Sequence, residues 1–233
     1  VVLAASTELS SISNDMVIQN GIASNAALTG TLGSGSLTIH EDLTTTAAKV
    51  SGKTIAPSGT PRMTLTSLDA NSNLSNISTL MTITGAQSDF AGSLGSAALI
   101  MNANLGVTAA SIVDGKSITG TGALDIKGAI TDQNLGSINM DGNTTFSATS
   151  ASFAANTLNN SEVYTVGNGV TITTTDIDTL VGPSILASGT GKIELNEAVT
   201  TENLGDIQAP ITFKVTSLSF AGTLRNGTTY TID

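Results

Sequence analysis

The chain of 233 residues contains no cysteine, no tryptophan and a single histidine. Without cysteine there is no disulfide framework, no thiolate metal site and no thiol nucleophile. Any serine-based catalytic triad would have to be built on His40. Charge is scarce as well: 11 % of residues are Asp, Glu, Lys or Arg, against about 25 % in an ordinary globular domain. Eight Lys and Arg stand against 18 Asp and Glu, giving a net charge of −10. The cations are dispersed, which excludes nucleic-acid binding by counterion release. An anionic membrane surface would repel such a chain. No apolar run reaches the roughly 18 residues of a membrane-spanning helix, so no membrane insertion is expected. A start at Val1 rather than Met fits a processed product or an excised fragment with any export signal removed.

What remains is small and uncharged. There are 27 Ser, 37 Thr and 24 Gly. Thr, Ser, Gly and Asn are weak helix formers, which points away from a helical protein. The low charge also separates the chain from disordered tails, which combine low hydropathy with high net charge.

An internal repeat is the main organising signal. Residues 120–138 (GTGALDIKGAITDQNLGSI) and 189–207 (GTGKIELNEAVTTENLGDI) align without a gap and share 9 of 19 positions. Downstream, 145–154 (TFSATSASFA) matches 212–221 (TFKVTSLSFA) at 7 of 10, and Tyr164 and Tyr230 follow at nearly equal distances. A weaker copy at 59–77 keeps Gly59, Thr60, Asn73, Leu74 and Ile77, with Phe90 where Phe153 and Phe220 fall. The expected organisation is one continuous solenoid. It comprises an N-terminal segment with a partial repeat (1–58) and units at 59–119, 120–188 and 189–233, the last truncated.

Within a unit the apolar period is two. Leu124 and Ile126, Ile193 and Leu195, Val170 and Ile172, and Leu37 and Ile39 alternate with polar residues, as short half-buried strands do. Gly, Asn and Asp punctuate them every five to ten residues. The pattern predicts an all-β β-solenoid with coils of about 20 residues, three coils to a unit. Tandem β-sandwich domains are the alternative, but a sandwich wants about 100 residues and a large buried aromatic. Thr7–Ile18 is the best helical candidate.

The glycine-rich turn, x-Leu-x-Ile strand, Asn-Leu-Gly, and the Phe146/Phe153 and Phe213/Phe220 pairs resemble the β-strand repeats of very large bacterial surface proteins. These include filamentous-haemagglutinin-like adhesins and autotransporter passengers. The resemblance implies a right-handed β-helix, secretion, and a structural or adhesive role at a bacterial cell surface. It carries no catalytic residue to transfer, and its members are usually far longer.

Candidates for chemistry are few. His40 lies beside Glu41 and Asp42, which suits either half of an acid–base pair or a solvent-facing strand end. Asp176 and Asp178, two apart, would share one face of a strand, with Glu194 and Glu197 near the next turn. Solenoid enzymes acting on sugars use such carboxylates with cationic partners, yet only Arg62 and Arg225 are arginines. Asp176 and Asp178 are also the weak calcium candidates, calcium being the one cofactor such acids would suit, although no calcium-loop motif surrounds them. The Gly120–Thr121–Gly122 turn lacks the Lys of a phosphate loop.

Phe90, Phe146, Phe153, Phe213, Phe220, Tyr164 and Tyr230 recur in register, as a stacked core would require. Stacking buries faces that one unit cannot bury alone, and an uncapped solenoid end is a template for another strand. Met16, Val17, Ile18, Tyr230 and Ile232 are therefore the assembly candidates, with Met16–Gly33 supplying a coil to a neighbouring copy. The expected function is a non-enzymatic extracellular structural protein that polymerises with itself into a filament, sheath or layer, or forms an adhesin stalk. The alternatives are a module binding surface glycans or ice, for which Thr44–Thr46 and Thr171–Thr175 hint at a threonine array, and a polysaccharide-active enzyme.

Overall fold

The structure, a computed structural model, describes residues 8–18, 30–148, 150–153, 158–197, 199–214 and 220–233. It is an all-β solenoid of short parallel strands, as the alternation predicts. Among the described residues helix is confined to Ala47–Val50 and the 3-10 turns Ala110–Ile112 and Ile177–Leu180. The chain divides into two compact units: Val1–Leu105 with Lys116–Gly122, and Gly106–Gly115 with Ala123–Asp233.

In the first unit, strands Leu43–Thr45, Arg62–Leu65, Leu80–Ile83, Leu99–Met101 and Ile118–Gly120 pair in parallel, each with the strand one coil away. Met16–Ile18, Leu37–Ile39 and Ile55–Pro57 form a second parallel ladder, extended by a bridge from Ile55 to Ile77. In the second unit, Leu124–Ile126, Thr144–Phe146, Val163–Val166 and Ser184–Ala187 make one sheet. Ile130–Thr131, Ser150–Phe153, Thr171–Thr174, Lys192–Leu195, Ile211–Phe213 and Tyr230–Ile232 make the other. Cα partners lie 18 residues apart at Met63–Met81 and 22 at Ile55–Ile77, so a coil is close to the expected 20.

The period-two pattern decides what is inside. Leu43, Met63, Met81, Leu99 and Ile118 are successive inward partners, and none is more than 2 % exposed. Ile130, Ala151, Ile172, Ile193 and Ile211 do the same in the second unit, none above 1 %. Each fully buried Leu, Ile, Met or Phe contributes roughly 1.5–3 kcal/mol. The stacking of like on like, coil after coil, is what replaces a conventional two-layer core.

The sequence repeat has a structural counterpart that is local. Asn73, Asn134 and Asn203 each accept the N–H two residues on through Oδ1, at 3.0–3.1 Å to Ser75 and Gly205 and 2.9 Å to Gly136. The following Leu74, Leu135 and Leu204 are fully buried, and their carbonyls accept from Ile77, Ile138 and Ile207. Asn-Leu-x-x-Ile is thus one turn cassette that closes a coil and plugs the core. The two tyrosines also repeat: Tyr164 Oη accepts the Asn159 N–H (3.0 Å) and Tyr230 Oη the Arg225 N–H (2.8 Å), five residues upstream in both. Yet Leu124–Ile126 and Lys192–Leu195, which align in sequence, belong to different sheets. The 69-residue shift from Gly120 to Gly189 is therefore not a whole number of coils, and the cassette recurs one face further round.

The helical expectation for Thr7–Ile18 is overturned over its described part. Residues 8–15 are irregular and Met16–Ile18 is a strand. The polar side chains there serve the neighbouring coil instead of a helix: Glu8 accepts the Thr31 N–H (3.0 Å) and Asp15 the Ser36 N–H (3.0 Å).

Candidate functional site

The outward wall of the first unit carries the most regular arrangement of polar side chains. On its main sheet, Thr44, Thr64, Thr82, Ile100 and Thr119 are successive partners; the first four point away from the core between buried neighbours, and Thr119 is exposed beside the buried Ile118. The ladder runs one residue past each strand. Thr66, Thr84 and Asn102 donate their N–H groups to Thr45, Leu65 and Ile83 of the coil before, each at 2.9 Å. Thr46, Thr66 and Thr84 therefore form a second rank beside the first. The Oγ1 of Thr66 and of Thr84 donate to those same carbonyls at 3.2 Å. This is the Thr-x-Thr motif repeated on three consecutive coils. The register needed to see it was not available from the sequence, where Thr44–Thr46 was the one part of this face singled out; Thr171–Thr174, the strand within the other stretch singled out, lies in the second unit.

In the second unit the outward rank Thr131, Ser152, Thr173, Glu194, Thr212 and Thr231 is interrupted by charge. Lys192 and Glu194 pair across it at 2.7 Å.

The acidic candidates are occupied otherwise. Asp176 and Asp178 do not share a strand face: Asp176 caps the 3-10 turn Ile177–Leu180 and its Oδ1 accepts the Asp178 N–H at 3.1 Å. Glu197 accepts the Ile177 N–H at the same turn. These carboxylates satisfy backbone donors at a helix start, as acidic caps do. Among the described residues no group of three or more His, Asp or Glu side chains is placed to hold a metal ion. His40 is exposed at the end of Leu37–Ile39, and the neighbouring Asp42 accepts the Arg62 N–H at 2.8 Å. A shallow hollow of about 380 Å3 is lined by Ala48, Ser51, Asp69, Ala70, Asn71 and Ser72.

The aromatic candidates separate into two clusters and two outliers. Phe146 stacks on Tyr164 (centroids 5.2 Å, 7°) and meets Phe153 at 5.3 Å, all three fully buried. Phe213 stacks on Tyr230 at 6.2 Å, with Tyr230 half-buried. Phe90 is buried and Phe220 half-buried. Burial pushes the Tyr164 hydroxyl well above the ordinary phenol range, offset in part by the Asn159 N–H. Of the assembly candidates, Val17 is 58 % and Ile232 65 % exposed, Ile18 is buried, and Met16 and Tyr230 are half-buried. Of Met16–Gly33, residues 19–29 lie outside the described residues.

One buried acid carried no sequence signal. Glu162 is 2 % exposed and accepts from the Met140 N–H (2.7 Å) and the Thr144 hydroxyl (3.2 Å). Desolvation, with a smaller contribution from the Asp141 charge, raises its pKa above the ordinary carboxylate value despite those bonds. A carboxyl raised on folding stabilises the fold at low pH, and that contribution is lost as pH climbs through the raised value. The wild-type melting temperature is expected to fall relative to that of Glu162→Gln as pH rises from the acid range to neutrality. Parallel melting curves for the two proteins across that range check this, and a constant difference would contradict it.

Comparison with protein-family models, with curated proteins and with solved structures finds no match to this chain. The class is therefore defined by the fold alone: a parallel β-solenoid with a stacked aliphatic core and a hydroxyl-rich exterior.

Proposed function

We propose that this chain is a non-enzymatic structural module of an extracellular bacterial surface, a stacked-coil segment that adds to copies of itself through its ladder edges. The observation that carries the reading is the strand Tyr230–Ile232. Among the described residues it is hydrogen-bonded to Ile211–Phe213 on one side, and it presents Ile232 at 65 % exposure. Met16–Ile18 is likewise an edge strand among the described residues, paired there with Leu37–Ile39 and presenting Val17. An edge of this kind, with apolar side chains and no blocking charge within it, is a template for strand addition. Joining the two different edges gives a heterologous, head-to-tail contact, which propagates as a filament if it does not close. Of the carboxylates considered for catalysis, Asp176 and Glu197 accept backbone N–H groups and Glu194 pairs with Lys192, and that supports scaffold over enzyme.

Sedimentation velocity over a concentration series tests this. The wild type is expected to shift to larger species as concentration rises, and Ile232→Lys to remain at the smallest species throughout. A wild type that stays monomeric at the highest concentration, or an Ile232→Lys variant that assembles equally well, would overturn the reading.

A further inference from the structure

The double rank of threonines on the first unit invites a separate conclusion, independent of the assembly reading. We propose that this face binds ice. The ranks Thr44–Thr64–Thr82 and Thr46–Thr66–Thr84 set hydroxyl and methyl groups on a two-dimensional grid. Its spacing is about 4.8 Å from coil to coil and about 6.6 Å along each strand. Parallel register fixes the first spacing and the backbone rise the second. β-Branched side chains hold few rotamers, so the groups repeat from coil to coil. The equal 3.2 Å bonds of Thr66 and Thr84 to the preceding carbonyls show that repetition directly.

The chemistry of the grid selects its occupant. It contains no charge, so it offers nothing to a phosphate or a carboxylate; Arg62 stands at its margin with its backbone N–H on Asp42. It contains no aromatic ring, which removes the stacking platform a sugar would use. Its hydroxyls bond water about as well as they bond protein, at a small entropic cost for each water held. The methyl groups between them favour ordered over bulk-like water. A periodic surface of this kind gains most from a ligand of the same periodicity and of water chemistry, which is the surface of an ice crystal. Ile100 with Asn102 interrupts the grid before Thr119, so three coils form the continuous patch.

Slow directional freezing of the purified chain tests the proposal, with partition into the ice fraction as the readout. The wild type is expected to be enriched in ice relative to an inert co-solute. Thr64→Lys with Thr82→Lys is expected to fall to the level of that co-solute. Thr84→Lys, at an exposed position where the fold tolerates a long side chain, is expected to lose most of the enrichment. Thr173→Lys, on the charge-interrupted face of the second unit, is expected to partition as the wild type does. Exclusion of the wild type from ice, or enrichment that survives Thr84→Lys in a protein with unchanged circular dichroism, would overturn the proposal.

Discussion

Phe146→Ala is expected to cost about 3–5 kcal/mol, the range for truncating a fully buried phenylalanine. That corresponds to a fall in melting temperature of about 10 °C for a chain of this size. The magnitude follows from what the ring touches. It is stacked on Tyr164 at 5.2 Å and packed against Phe153 at 5.3 Å, with none of the three more than 1 % exposed. Both partners are held by their own ladders, Tyr164 between Thr144 and Ile185 and Phe153 beside Thr174. The cavity therefore cannot close by a local shift. Phe220→Ala provides the comparison: Phe220 is half-buried, and its loss is expected to cost well under half as much. Thermal melts of the two variants check the prediction, and equal losses would contradict it.

The second large effect is expected at Gly120. Its φ is +127°, a region essentially closed to residues with a Cβ. A Cβ there would lie 2.2 Å from the Met101 carbonyl oxygen, a backbone atom held in the neighbouring coil. Gly120→Ala therefore combines backbone strain of about 1–3 kcal/mol with an overpacking cost of about 1–3 kcal/mol. Gly115 separates the two terms. It also has positive φ, +62°, but a Cβ there meets nothing within 4 Å. Gly115→Ala should cost only the left-handed backbone penalty, about 1–2 kcal/mol. Chemical denaturation of both variants measures the difference, and a Gly120→Ala protein no less stable than Gly115→Ala would remove the close approach from the account.

Much of the architecture was legible because β-solenoids write their inside and outside at period two. Leu124 and Ile126, or Ile193 and Leu195, can face only one way once their neighbours are Asp and Glu. The Asn-Leu-Gly copies were legible as turns because Asn bonds its own backbone two residues on. The coil length came out near 20 for the same reason. What the sequence could not supply was register. Matching residues 120–138 to 189–207 suggested whole coils, whereas the ladders place the aligned strands on different sheets. Thr64-x-Thr66 and Thr82-x-Thr84 are visible in the sequence. They become ranks only when coils of 20 and 18 residues set Thr44 against Thr64 and Thr64 against Thr82.

Individual polar roles were least legible. Asp176 and Asp178 read as strand neighbours, but the buried Ile177, Thr179 and Leu180 wind into a 3-10 turn that Asp176 caps and that contains Asp178. The Ser- and Asn-rich stretch before Met16 offered a weak helical pattern. Its side chains bond instead to residues more than 20 positions away, which no local rule anticipates. Glu162 follows a polar Asn-Asn-Ser run and looks solvent-facing. Its burial comes from the coil before, where the Met140 N–H and the Thr144 hydroxyl donate to its carboxylate.

The stacking of parallel coils is the claim on which the rest depends, and one distance tests it most directly. The chain lacks cysteine, so Thr131→Cys with Thr231→Cys gives two unique sites for spin labels. Thr131, Ser152, Thr173, Glu194, Thr212 and Thr231 are successive partners on one face of the second unit. Five steps of about 4.8 Å put the labelled backbone positions about 24 Å apart. Pulsed electron–electron resonance is expected to give a single narrow distance close to that value. A broad distribution, or a much longer distance such as separate sandwich domains would give, would contradict the stacked-coil account.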